Sequence, residues 1–185
     1  MVIMAKGKNV ALARLLYSSM FLALGLLLPF LTMQIPTIGA ALCPMHFAVL
    51  LCGFICGPTW GMAVGAITPI LRSMLFGAPV AIIPNALAMA FELATYAFVA
   101  GILYKKLNKN ILYTYIALIT AMVAGRLVWG AVMFVLILAN QTSGEIGFSL
   151  IWSATVLQSI PGIILQLVAI PPIISVLRKN RLMLN

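Results

Sequence analysis

Four acidic or basic side chains lie inside long apolar stretches: His46, Arg72, Glu92 and Arg126. In TPILRSMLFGAP, Thr68 to Pro79, Arg72 has apolar residues on both sides. An arginine at the centre of a membrane span costs about 2.5–3.5 kcal/mol on insertion scales. Such a group must face protein or water, pair with an opposite charge, or bind something. A guanidinium can hold a carboxylate through two parallel hydrogen bonds, and that chemistry strengthens in a dry pocket. Each group also has a plainer reading. Arg72 can snorkel to external headgroups on its long stem. Arg126 and Glu92 can form a structural ion pair. His46 can cap a helix or bond a loop carbonyl. Around them lie Gln34, Thr37, Asn85 and Gln158 and the indoles Trp129 and Trp152, the usual makings of a small-molecule pocket. Whether they meet depends on the elements that carry them.

Of the 185 residues, 64% are hydrophobic and 7% charged. A soluble domain of this length carries about a quarter charged residues, so the solvent of this surface is lipid. The expectation is an all-α membrane protein, one integral domain over residues 1–185 with no soluble module. A net charge of +9 raises nucleic acid as a partner. That reading is rejected, because the basic residues cluster at the ends of apolar segments. Cys43, Cys52 and Cys56 lack metal-ligand neighbours and read as small packing residues. The apolar run Leu15 to Thr32 is longer than the usual signal core of about 7–15 residues and reads as a retained span.

A spanning helix needs about 20 apolar residues. Six candidates run Val10–Thr32, Met45–Gly57, Pro58–Phe76, Ile82–Tyr104, Ile111–Ala139 and Phe148–Leu177. The second is too short to cross unaided and forms a hairpin with the third through CGPTWG; a re-entrant piece is the alternative. Lys6, Lys8, Arg14, Lys105, Lys106, Lys109, Arg178, Lys179 and Arg181 account for nine of the eleven Lys and Arg residues. Six spans put them all on one side, which the positive-inside rule makes the cytoplasm. Both termini are expected there, with external loops Met33–Pro44, Gly77–Ala81 and Asn140–Gly147.

Glu145 falls in an external loop, which leaves Arg72, Arg126 and Glu92 unexplained by topology. Arg72 falls near the external end of the third span and Arg126 near the middle of the fifth, at the depth of Glu92. His46, opening the second span, is expected near the external surface and Glu92 deeper. His46, Arg72, Asn85, Trp129, Trp152 and Gln158 can then converge in the outer half of the bundle, beneath a loop holding Gln34 and Thr37.

Small residues say where membrane helices meet. Gly53, Gly57, Gly61 and Gly65 recur every four positions, as do Ala86, Ala90 and Ala94, while Ser19 and Ala23 repeat this once on the first span. There is no Walker lysine motif, no HExxH, no serine elbow and no metal cluster. No second half repeats the first, as inverted-repeat transporters require. The chain can bind something in the membrane but shows no means of powering its movement, and no cofactor is expected.

CPMHFAVLLCGFICGPTWGMAVGAITPILRSMLFGAP and MAFELATYAFVAGILYKKL resemble the substrate-binding S components of energy-coupling factor (ECF) vitamin transporters. The Pro-x-His opening, the Gly-rich hairpin, the outer Arg and the FELxxYxxxxGxLY helix are most like the pantothenate subgroup. The resemblance implies a bacterial plasma-membrane protein that works with a transmembrane coupling protein and two ATPases. It implies vitamin contacts from the first loop and the outer parts of helices four to six, where Asn85, Trp129, Trp152 and Gln158 are expected. It also implies docking through an Ala-x-x-x-Ala pattern on helix one, matched here by Ser19 and Ala23 with Ser in first place. Delivery would be by toppling in the membrane. Pyridoxine or hydroxymethylpyrimidine compounds are the runner-up ligands. Other classes remain: a membrane enzyme using His46 and Glu92, which needs both at one substrate, or a stand-alone channel or transporter.

Overall fold

A computed structural model describes residues 8–31, 44–76, 85–107, 110–139, 159–180 and 182–185. These form six helices: α1 (Lys8–Leu31), α2 (Pro44–Cys56), α3 (Pro58–Phe76), α4 (Leu87–Lys106), α5 (Ile111–Ala139) and α6 (Ile160–Lys179). No strand occurs among the described residues. Four helices are long and apolar enough to cross a bilayer: α1 over Val10–Phe30, α4, α5 over Ile111–Leu136, and α6. The protein is an all-α membrane protein, with the shorter α2 and the Gly- and Pro-containing α3 packed among these four. Of the expected external loops, only Pro44 falls within the described residues, and it opens α2.

The α2–α3 hairpin sets the register of the bundle. Gly57 turns the chain with φ +100°, a left-handed conformation that strains any residue with a Cβ. From that turn the two helices run antiparallel, so closely that a Cβ on Gly61 would lie 2.6 Å from Gly53 Cα. α4 lies in the groove they make. A Cβ on Gly53 would meet the Ala97 carbonyl oxygen at 2.5 Å, one on Gly65 the Leu93 carbonyl carbon at 2.6 Å, and one on Gly101 the Pro58 nitrogen at 2.7 Å. Pro58, Gly61 and Gly65 therefore face Gly101, Ala97 and Leu93 in turn. On α4 the contact follows Ala90, Leu93, Ala97 and Gly101, and Ala94 is only half-buried.

The core forms around this spine from Leu50 and Phe54 of α2, Leu93 of α4, Leu118 of α5, and Ile170 and Ile174 of α6. Cys52 and Cys56 are buried there as free thiols. The outward faces stay apolar: Leu12, Leu16, Met20 and Leu27 of α1 are exposed, as are Leu127 and Val135 of α5.

One end of the bundle is basic. Lys105 and Lys106 close α4, Arg178 and Lys179 close α6, and these charges suit the negative ends of the helix dipoles. The tail then folds back across this end. The Leu184 N–H donates to Ile55 O at 3.0 Å, the Asn185 amide donates to Gly101 O at 3.0 Å, and Arg14 donates to Leu184 O through Nη2 at 2.6 Å. Arg14 of α1 thus lies at the same end. At the opposite, distal end, Phe30 of α1 and Phe76 of α3 meet edge to face at 4.9 Å.

Candidate functional site

Glu92 is the hub. It is 1% exposed on α4, and a carboxylate so deep needs donors, because an unpaired charge in an apolar medium is prohibitively costly. Three elements approach it. Tyr96, one turn along α4, donates its hydroxyl to Glu92 Oε1 at 2.8 Å. Arg126 of α5 brings Nη1 to 3.2 Å from the same oxygen. His46 of α2 places Nε2 3.7 Å from it, beyond hydrogen-bond length. Gly125 makes the approach possible, since a Cβ there would collide with the Tyr96 ring. The Tyr96 and His46 rings lie 5.4 Å apart, tilted by 56°.

His46 lies at the level of Glu92 and not near the distal surface, which corrects the depth expected from the sequence. The reason is the length of α2. Both arms of the hairpin start at Gly57, so eleven residues back to His46 match eleven residues forward to Thr68. At 1.5 Å per residue that is about 16 Å, well short of the roughly 30 Å bilayer core. α2 begins in mid-bundle, whereas α3 continues outward past Thr68 to Arg72.

Arg72 is 8% exposed, and its Nη1 has no hydrogen-bond partner among the described residues. Neither ring nitrogen of His46 has one either. A buried polar group left unsatisfied costs about 1–3 kcal/mol, and more when charged. Glu92 opposes the charge of Arg126, but among the described residues no carboxylate opposes Arg72. Between these two levels lies Trp129, one turn beyond Arg126 on α5 and 6% exposed, packed with Ala88 and Met133.

Asn85 is exposed just before α4, on the distal side of Trp129's neighbour Ala88. Ser19 and Ala23 are exposed on α1, and the Ser19 hydroxyl turns back to Leu16 O at 2.9 Å. Gln34, Thr37, Trp152 and Gln158 lie outside the described residues. Among the buried polar residues given no part from sequence are Tyr96 and Gln166. Tyr96 stands four residues after Glu92, a spacing that puts both on one helix face. Gln166, 2% exposed, shares the inward face of α6 with Gly162 and Ile170. Among the described residues no group of three His, Cys, Asp or Glu could hold a metal ion.

Glu92 and Arg126 thus oppose each other's charge, Trp129 is buried one turn further out, and beyond it Arg72 has no opposing carboxylate among the described residues. No individual curated protein and no solved structure matches the chain. A family model described as "ECF transporter, substrate-specific component" matches residues 13–174. That match takes in all six helices apart from the first five residues of α1 and the last five of α6, and includes every residue of the Glu92 cluster and Arg72. The chain therefore belongs to the substrate-specific components of ECF transporters, membrane subunits that bind a transported small molecule and are not enzymes.

Proposed function

We propose that this subunit captures a carboxylate-bearing vitamin, pantothenate first, from the external face and delivers it to the cytoplasm by toppling in the bilayer, driven by the ATPases of an ECF module. The observation that carries the ligand chemistry is Arg72, buried at the distal end with an unpartnered Nη1. A planar guanidinium presents two parallel donors to a carboxylate, which a lysine ammonium cannot do. Arg126 is already engaged by Glu92 and leaves Arg72 as the cation for an anionic ligand. The distal end is external if the basic end, with Lys105, Lys106, Arg178 and Lys179, faces the cytoplasm under the positive-inside rule. Gln34, Thr37, Asn85, Trp129, Trp152 and Gln158 would complete the pocket.

Toppling suits a bundle whose outer faces are apolar, because lipid replaces lipid as it tilts. Ser19 and Ala23 are the proposed docking stripe. With its hydroxyl bonded to its own helix, Ser19 presents a surface nearly as small as alanine's.

Calorimetry of the detergent-purified protein against a vitamin panel tests this reading. Pantothenate is expected to bind, and Arg72→Lys to weaken it at least tenfold. Tight binding of pyridoxine or a hydroxymethylpyrimidine with none of pantothenate would overturn the carboxylate argument and shift recognition to Asn85, Gln158 and the indoles. An unchanged constant in Arg72→Lys would assign Arg72 to snorkelling.

A further inference from the structure

We infer that His46 is a ligand contact, and that it orients the bound molecule with its carboxylate towards Arg72 and an uncharged hydroxyl or amide towards the α2 end. This deepens the reading of the site as a carboxylate-binding pocket and rests on it. His46 is 5% exposed, yet neither ring nitrogen has a hydrogen-bond partner among the described residues. Buried polar side chains are satisfied with few exceptions, and an exception calls for an absent partner. Helix packing does not supply one. The ring stands 5.4 Å from that of Tyr96, whose hydroxyl donates to Glu92, and Glu92 itself lies beyond hydrogen-bond length at 3.7 Å.

The surroundings decide what that partner is. An imidazole can present an N–H donor on one nitrogen and a lone-pair acceptor on the other, and a hydroxyl or an amide can meet either. A ligand carboxylate has no free cation to meet there, because Glu92, 3.7 Å from the ring, already faces Arg126 at 3.2 Å. The anionic end of the ligand must therefore point away, towards the cation on α3. The Gly53–Gly61 contact sets a hairpin register in which His46 is level with Thr68, and Arg72 lies four residues further out, about 6 Å along the helix axis. A molecule with a carboxylate at one end and hydroxyl or amide groups at the other spans that gap. Its binding end would come from α2, whose short length leaves its first turn in mid-bundle.

His46 is the chain's only histidine, so nitrogen-15 labelling of histidine in an untagged wild-type protein gives a single imidazole to follow by NMR. The probes are pantothenate and pantothenol, which replaces the carboxylate by a hydroxymethyl group. Saturation with either is expected to shift the imidazole nitrogen resonances, because both probes keep the hydroxyl and amide end. In calorimetry His46→Ala is expected to weaken both probes about tenfold, with His46→Gln recovering part of the loss. Arg72→Ala is expected to weaken pantothenate alone. Imidazole resonances that stay put while wild-type protein binds the probes would overturn the assignment, whether or not the variants fold. A wild-type protein that binds neither probe would instead remove the carboxylate reading, and this orientation with it.

Discussion

Glu92 accepts from Tyr96 and faces Arg126 while itself 1% exposed. A buried ion pair is weak evidence of stability, because desolvation consumes most of the attraction, but removing one partner strands the other. Glu92→Gln should therefore destabilise the protein by about 3–5 kcal/mol, since the Arg126 guanidinium loses the carboxylate that opposes it. The double variant Glu92→Leu with Arg126→Met should recover most of that loss. Unfolding in mixed micelles of increasing SDS fraction measures both, and a double variant as unstable as Glu92→Gln would mean the pair adds stability outright. The two charges were legible in the sequence because each falls mid-span with opposite sign and matching depth. The role of Tyr96 was not, since an aromatic residue at helical spacing reads as one more apolar surface. The level of His46 was also missed, because depth was counted from a span end taken to reach the membrane face.

That miss belongs to the element. Hydropathy marks where a segment is apolar, and it gave the α2–α3 hairpin and its Gly57 turn. It does not say at what height a thirteen-residue helix stops; that follows from the glycines that fasten α2 to α3 and α4. The stripe itself was visible, while its partner face was only half visible. Ala86, Ala90 and Ala94 suggested a repeat of four, but the buried face of α4 turns through Ala90, Leu93, Ala97 and Gly101. The close packing makes a sharp prediction. A Cβ on Gly61 would lie 2.6 Å from Gly53 Cα and 2.9 Å from Ala97 Cβ, and backbone cannot give way as a flexible side chain would. Gly61→Ala should cost about 1–3 kcal/mol through overpacking. Ala63→Leu, on the exposed face of the same helix, should stay within about 0.5 kcal/mol. Equal effects from the two in SDS titration would show that the α2–α3–α4 contact is not tight in the membrane.

At the scale of the whole molecule, the described residues tie the basic end together by hydrogen bonds between the tail and three helices, while at the distal end Phe30 and Phe76 meet edge to face. Leu184 reaches Ile55 O, one of the last carbonyls of α2, Asn185 reaches Gly101 O in the final third of α4, and Arg14 brings α1 into the same knot by donating to Leu184 O through Nε at 3.2 Å and Nη2 at 2.6 Å. Charge clustering put these segments at one end in the sequence, but nothing in the composition of LMLN announces a strap. Helix C-termini leave carbonyls without intrahelical donors, and in a lipid-facing bundle a chain segment is a ready source of N–H groups. Deleting residues 182–185 removes the donors to Ile55 O and Gly101 O together with the acceptor of Arg14. The expected cost is about 1–3 kcal/mol, near one unsatisfied buried group, because water at the membrane face replaces part of what is lost. Ligand affinity should stay within about twofold, because His46 lies about 16 Å along α2 from the Gly57 turn. Arg14→Ala should reproduce part of the stability loss through α1 alone. Loss of binding with unchanged unfolding would reverse this division of labour and make the strap part of the route between the basic end and the site.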